Sequence, residues 1–366
     1  MTSDPALASW LQLSLTPGLG AATLRALLKQ FGLPENVIAA RRGELARLVP
    51  RETLAALDSA PVGREVERAL AWAARAGHAV VTLADTAYPR LLLEIPDPPA
   101  LLYCRGRTEL MSRPALAVVG SRNATAQGVS NAEQFARAFS AAGLTIVSGL
   151  ALGIDAAAHR GGLAGEGSTV AVLGTGVDLA YPAANAPLAE EIAARGLLVS
   201  ELPLGTKAFG HHFPRRNRLI SGLAQGCLVI EAALASGSLI TARTAAEQGR
   251  EVFAVPGSIH SPLAKGCHAL IKSGAKLAES ADDVLSELAA FRRTGFASTR
   301  APSAPAGPGS EDPLLACMGY DPVDVDSLCA RAGLPAERVA AELLRLELAG
   351  SVAALPGGLY QRLSKG

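Results

Sequence analysis

The chain has 366 residues, of which 49% are hydrophobic and 18% charged, enough for two or three domains around a sizeable core. Its formal net charge is +1, which excludes a global basic field, so any polyanion must be held by a local patch. The cysteines are scattered without a CxxC spacing, as free thiols in a reducing compartment are. With no signal-peptide pattern and no uncharged apolar run of bilayer length, a cytoplasmic protein without membrane contact is expected.

Residues 1–64 read as a small helical domain. The stretch TPGLGAATLRALLKQFG, 16–32, places a Pro-Gly-x-Gly turn before an amphipathic helix with Leu24, Leu27 and Leu28 on one face. It resembles a SAM-like or helix-hairpin-helix module. Such a turn either holds a DNA backbone through its amides or serves as a packing or dimer contact. Residues 65–110 continue with a helix (REVERALAWAARAG), a strand (HAVVTL) and a proline-rich bridge, YPRLLLEIPDPPALLYCRG.

Residues 113–292 alternate strand and helix patterns. The strands are ALAVVGS (115–121), LTIVSG (144–149), TVAVLG (169–174), LLVSE (197–201), CLVIEA (227–232) and EVFAVPG (251–257). Near-continuous apolar, β-branched runs suit a sheet buried on both faces. The spacing predicts an α/β fold, an extended Rossmann-like, doubly wound and mostly parallel sheet spanning 65–292, with its core at 113–292. Residues 293–311, rich in Ala, Ser, Pro and Gly, predict a flexible linker. Residues 312–366 give helix, helix and a Gly-Gly hairpin, which resembles a winged helix.

Strand ends carry the chemistry. Gly120-Ser121-Arg122 follows the first core strand, Ser148-Gly149 the second, Gly174-Thr175-Gly176 the third and Pro256-Gly257-Ser258 the last, and Ser236-Gly237-Ser238 opens a helix. In a doubly wound sheet these loops share one edge, where the binding crevice lies. Glycines let backbone amides approach an anion, and helix N-termini add partial positive charge. The nearest match to G-x-G-x-x-G lacks its third small residue and falls on the third strand, and no Walker loop is present, so neither NAD nor ATP, nor any other cofactor, is expected.

Lys207, His211, His212, Phe213, Arg215, Arg216 and Arg218 follow the fourth core strand within twelve residues. Arginine forks suit bidentate phosphate binding, and a phenyl ring beside cations is the makeup of a single-strand groove. Arg215 and Arg218, three apart, share a helical face, and Asn217 can bond a base edge or cap the helix. The competing structural reading is a solvated helix start with ion pairs. Arginine at a helix N-terminus opposes the macrodipole, which favours the phosphate reading.

These segments have a familiar order and wording. GSRNATAQG, SGLALGIDAAAHRGGL, TVAVLGTGVDLAYPAANAPL, SELPLG, FPRRNRLISGLA, VIEAALASGSLITARTAAEQGREVFAVPG and GCHALIKSGA resemble the DNA-processing protein A (DprA/Smf) family over about 113–280. His268 stands where that family commonly has Asn, and ISGLA where it has IAGLS. The resemblance implies a non-catalytic single-stranded DNA-binding protein, a homodimer through the Rossmann-like domain, which protects incoming DNA in natural transformation and loads the RecA recombinase. Carried over, Arg122, Lys207, Phe213, Arg215, Arg216, Asn217 and Arg218 are the implied DNA contacts. Gly120, Ser121, Ser148, Gly149 and Ser238 would offer amides or hydroxyls to phosphates.

Two alternatives accompany this reading. Glu231, before a Ser-Gly-Ser helix start, is similar to the carboxylate of nucleotide phosphoribohydrolases, but the Pro-Gly-Gly-x-Gly-Thr loop of that group is missing, and a lone carboxylate there can equally cap a helix. The tandem His211-His212 and the pair Cys267-His268 lack metal-ligand spacing, so no metal is expected. Asp155 and His159, four apart, are expected to pair and fix the helix after SGLALG. The acidic balance of the tail weighs against duplex binding and favours partner docking.

Overall fold

The computed structural model describes residues 5–288 and 312–363. The expected linker, 293–311, lies outside them. Nine strands form the main sheet: β1 (His78–Thr82), β2 (Leu101–Gly106), β3 (Ala115–Val119), β4 (Thr145–Ser148), β5 (Thr169–Val172), β6 (Leu197–Ser200), β7 (Gly226–Val229), β8 (Glu251–Ala254) and β9 (Lys276–Leu277). Their order is β1-β2-β6-β5-β4-β3-β7-β8-β9. From β6 across to β9 all pairings are parallel, whereas β2 is antiparallel to both β1 and β6. This is the α/β, mostly parallel doubly wound sheet that the apolar runs predict.

The proline-rich bridge departs from expectation. Its LLYCRG portion is β2, with Leu101, Leu102, Tyr103 and Cys104 all buried. The prolines upstream mask it, yet the run itself lacks them and carries the apolar content a buried strand needs.

Alternation splits the sheet cleanly. Ala117 and Val119 of β3 and Val170 and Val172 of β5 face one core, while Leu116 and Val118 face a second and Ala171 a third. Helices cover both faces, as a parallel sheet requires. The N-terminal helices, Pro5–Leu15 through Ala60–Ala73, pack Trp10, Leu11, Leu27 and Trp72 into one cluster with Tyr103, Leu173 and Leu198 of the sheet. The helical module and the sheet therefore share a core.

The last segment forms helices Pro313–Met318, Val325–Ala332 and Ala336–Leu348 and a small sheet of β10 (Val323–Asp324), β11 (Val352–Leu355) and β12 (Leu359–Arg362). β11 and β12 are antiparallel, joined through Gly357 and Gly358, both at positive φ, where glycine is the residue without steric cost. Leu328, Val339, Leu343 and Val352 make its separate core. This is a winged-helix architecture. Among the described residues no helix is long and apolar enough to cross a membrane.

A candidate nucleic-acid interface at the sheet's switch point

β3 runs on to β4 in one direction, and the chain returns after β6 to place β7 on the other side of β3. Such a reversal opens a crevice at the strand C-termini. A crevice of about 640 Å³ lies there, lined by Gly120, Ser121 and Arg122 after β3, by 235–238 after β7, and by Phe213, Arg216 and Asn217 from the helix His212–Gly222. Seven of the twelve expected residues thus meet at one place: Gly120, Ser121, Arg122, Phe213, Arg216, Asn217 and Ser238. Asn123 and Asp155 also line it. Asn123 was not singled out, although it directly follows the Gly-Ser-Arg turn.

At the mouth, exposed Arg122 sits with its guanidinium carbon 5.7 Å from the centre of the Phe213 ring, within cation–π range. The ring lies on Gly174, where a Cβ would come within 2.7 Å of it. Tyr181 adds a second ring 5.5 Å away. Lys207 is exposed on the neighbouring loop.

The three arginines do not share a fate. On a helix each step turns about 100°, so neighbours cannot face the same way. Arg215 points outward with its side chain 51% exposed and its Nε 3.3 Å from Glu201. Arg218, on the same face, is buried; it donates to Glu201 at 2.5 Å and forms an ion pair with Asp97 at 2.9 Å. Arg216, buried, donates from Nη1 to the carbonyl oxygen of Gly149 at 2.7 Å and to that of Val172. The structure places the three differently: Arg215 is open to solvent, while Arg216 and Arg218 are buried with internal acceptors, as a buried guanidinium requires.

The same holds at the end of β4. The Ser148 hydroxyl donates to the carbonyl of Val118 at 2.7 Å. The Gly149 amide donates to the Asp155 carboxylate at 3.1 Å, so both groups have protein partners in the structure. Burial raises the Asp155 pKa against the opposing pull of Arg216. Burial lowers that of Arg216 to about 10, with Asp155 opposing.

Asp155 also accepts from the Ala151 amide at 3.3 Å. His159 receives the Leu150 amide on Nε2 at 3.2 Å and faces the Thr169 hydroxyl through Nδ1 at 2.7 Å. That hydroxyl donates to Ile146, so the imidazole Nδ1 carries the proton. Asn185 donates to the carbonyls of Leu150 and Ala151. Together these groups hold Leu150 at φ 60°, a conformation that branched side chains avoid. Asp155 and His159 do not form the pair their spacing suggests; each holds the loop that opens the helix Ile154–Leu163 by accepting from its own set of backbone amides.

Glu231 braces Thr125, the N-cap of the helix Ala126–Ala141. Its two carboxylate oxygens accept from the Thr125 hydroxyl at 2.6 Å and the Thr125 amide at 2.9 Å, and Thr125 in turn accepts from the Gly128 amide. Ser238 shares a hydrogen bond with Ser236 at 2.7 Å and opens the helix Ser238–Glu247 onto the crevice. Ser121 gives its amide to the Glu231 carbonyl at 2.7 Å. The histidines of the tandem lie with ring centres 4.4 Å apart. Among the described residues no group of three or more His, Cys, Asp or Glu is placed to hold a metal ion.

Residues 79–289 match the family described as DNA recombination-mediator protein A, and residues 298–358 match the DprA winged helix domain. Protein Smf of Escherichia coli (strain K12) is 42% identical over 313 residues, covering 82% of this chain and 82% of that one. The crystal structure of DNA processing protein A from Streptococcus pneumoniae superposes with a TM-score of 0.66 at 39% identity, over 76% of this chain and 95% of that one. A structure of DNA processing protein A from Helicobacter pylori, described for its single-stranded DNA binding mode, gives a TM-score of 0.53 at 30% identity, over 57% of this chain and 95% of that one.

Proposed function

From the premise that the chain belongs to the DNA recombination-mediator protein A family, we propose that it binds single-stranded DNA along the crevice between β3 and β7, without catalysis. The observation that carries this reading is the Arg122–Phe213 pair at the crevice mouth, 5.7 Å apart. A cation and a ring side by side take a phosphate and its base together, whatever the base. Arg122, Lys207, Phe213, Arg215 and Asn217 make the side-chain contacts. Gly120, Ser121 and Ser238 shape the floor, where the start of a helix favours negative charge. Ser148, Gly149 and Arg218 act one layer below, keeping that floor in shape, and the buried Arg216 supports it from the crevice wall.

No base-edge code is in place, so sequence preference is low. Phosphates dominate, so affinity falls with salt, with a log–log slope near −0.7 per neutralised phosphate. A homodimer through the Rossmann-like domain would present two grooves to one strand and gain avidity. The cellular role that fits is protection of incoming DNA in the cytoplasm during natural transformation and delivery of RecA to it. The winged helix is assigned to partner docking.

A competition assay tests the core of this. Labelled single strand bound to the protein is challenged with unlabelled single strand or duplex of the same sequence. Displacement by the single strand at far lower concentration supports the reading; equal displacement by duplex contradicts it. RecA delivery is tested separately, by whether the protein shortens the lag of RecA's strand-dependent ATP hydrolysis.

A further inference from the structure

Resting on that reading, we propose that the single strand leaving the crevice continues onto a second stacking surface made by Tyr181 and Phe209, with Lys207 as its phosphate partner. Tyr181 is 51% exposed and Phe209 53% exposed. Exposure alone is ordinary; what points to a ligand is that the rings cluster with cations beside the crevice mouth.

The rings continue the site already described. Tyr181 lies 5.5 Å from Phe213 with planes at 35°, and Phe213 in turn meets Arg122. Phe209 stacks on His211 at 6.0 Å and stands edge-on to His212 at 5.4 Å. His212 directly precedes Phe213. Arg122, Phe213 and Tyr181 thus form one run, flanked by Phe209 with its two histidines. Successive nucleotides need successive rings, because each base offers a π-face and each phosphate a charge.

The two loops that carry these rings are braced to each other. The Asp178 carboxylate accepts from the Gly205 amide at 2.8 Å and 3.0 Å. The Gly176 amide donates to the Thr206 carbonyl at 2.9 Å. The Thr175 hydroxyl donates to the Leu179 carbonyl at 2.6 Å, and the Ser200 hydroxyl to that of Thr175 at 2.6 Å. The backbone leading to Tyr181 and Lys207 is therefore braced before a ligand arrives, which limits the ordering cost of binding. The cation Lys207 is exposed beside them, so the patch is aromatic and positive together, as a nucleic acid requires and a purely apolar partner does not.

The test uses the full chain with a long and a short oligothymidine. Tyr181→Ala and Phe209→Ala should each weaken the long strand by about fivefold or more, and the short strand, which fits within the crevice, much less. Tyr181→Phe keeps the ring and should bind like wild type. Trp10 and Trp72 are each 5% exposed, in the N-terminal helices, so the Tyr181→Trp variant adds one exposed fluorophore. Its extra emission should be quenched by the long strand. If wild type binds but both alanine variants bind the long strand equally well and no quenching appears, the second surface is refuted, the crevice reading stands, and the patch is left to a protein partner. If wild type binds neither oligonucleotide, the crevice reading fails and takes this proposal with it.

Discussion

The guanidinium of Arg216 donates to the carbonyl oxygen of Gly149 at 2.7 Å, while the amide of Gly149 donates to Asp155 at 3.1 Å. One glycine thus joins a buried cation to a buried anion beneath the crevice. Its lack of a side chain is required, since a Cβ there would fall 2.5 Å from the guanidinium. Arg216→Ala leaves Asp155 without its countercharge in the interior, and should lower stability by roughly 3–5 kcal/mol. Gly149→Ala should disturb the same contact. Urea unfolding reads both. An Arg216→Ala protein as stable as wild type, but weak in DNA binding, would return Arg216 to the ligand-facing set.

His159 supplies a pH signature. Burial, with Arg216 and Arg160 adding to it, lowers its pKa from 6.5 to about 3. Below pH 6.5 the unfolded chain binds a proton there that the folded protein refuses. The stability is complete above that pH and is lost as pH falls toward 3, by up to about 1.4 kcal/mol per unit. His159→Gln should be less stable at neutral pH and show a flatter decline from pH 6.5 to 5. The raised carboxyl of Asp155 titrates in both proteins, so the difference between them isolates the histidine. Parallel curves would contradict the neutral, Nδ1-protonated assignment.

Glu231 separates binding from hydrolysis. Its carboxylate is spent on the Thr125 hydroxyl and amide. Glu231→Ala should cost about 1–2 kcal/mol of stability through the lost brace on the Thr125 cap and leave single-strand affinity within about twofold, a shift of roughly 0.4 kcal/mol. Release of base from nucleoside monophosphates by wild type, abolished in the variant, would instead support the phosphoribohydrolase alternative.

Much of this was legible in the sequence. The core strands are apolar runs, most of them ended by Gly or Ser, and the topology rule then brings Gly120, Ser121, Arg122 and Ser238 to one edge. β2 was hidden because prolines precede it. The fate of Arg216 and Arg218 was hidden for another reason: composition reveals a cluster of charge but not the acceptors waiting for it. Val172 and Gly149 offer carbonyls, and Glu201 and Asp97 carboxylates, from segments far away in the chain. A clue was available for Arg218, since Glu201 ends the preceding strand and an acid at a strand end needs a partner. Tyr181 lies in the segment TVAVLGTGVDLAYPAANAPL, but its spacing carries no sign that it faces Phe213.

Phe213 offers a test of the ring itself. Because it lies over Gly174 and beside Arg122, Phe213→Leu keeps apolar bulk and loses the π-face. Affinity for a single strand should drop by about 1–3 kcal/mol while thermal stability changes little. Equal loss of affinity and stability would mark the ring as packing alone.

The most direct measurement is fluorescence anisotropy of a labelled single strand across a salt series, with wild type beside Arg122→Ala and the Arg122→Ala/Lys207→Ala double variant. Both side chains are exposed, so circular dichroism should show all three proteins folded alike. The account predicts tight wild-type binding that weakens with salt, a loss of about tenfold for the first variant and more for the second, and a salt slope that flattens by about 0.7 for each cation removed. Folded variants with wild-type affinity and an unchanged salt slope would contradict it.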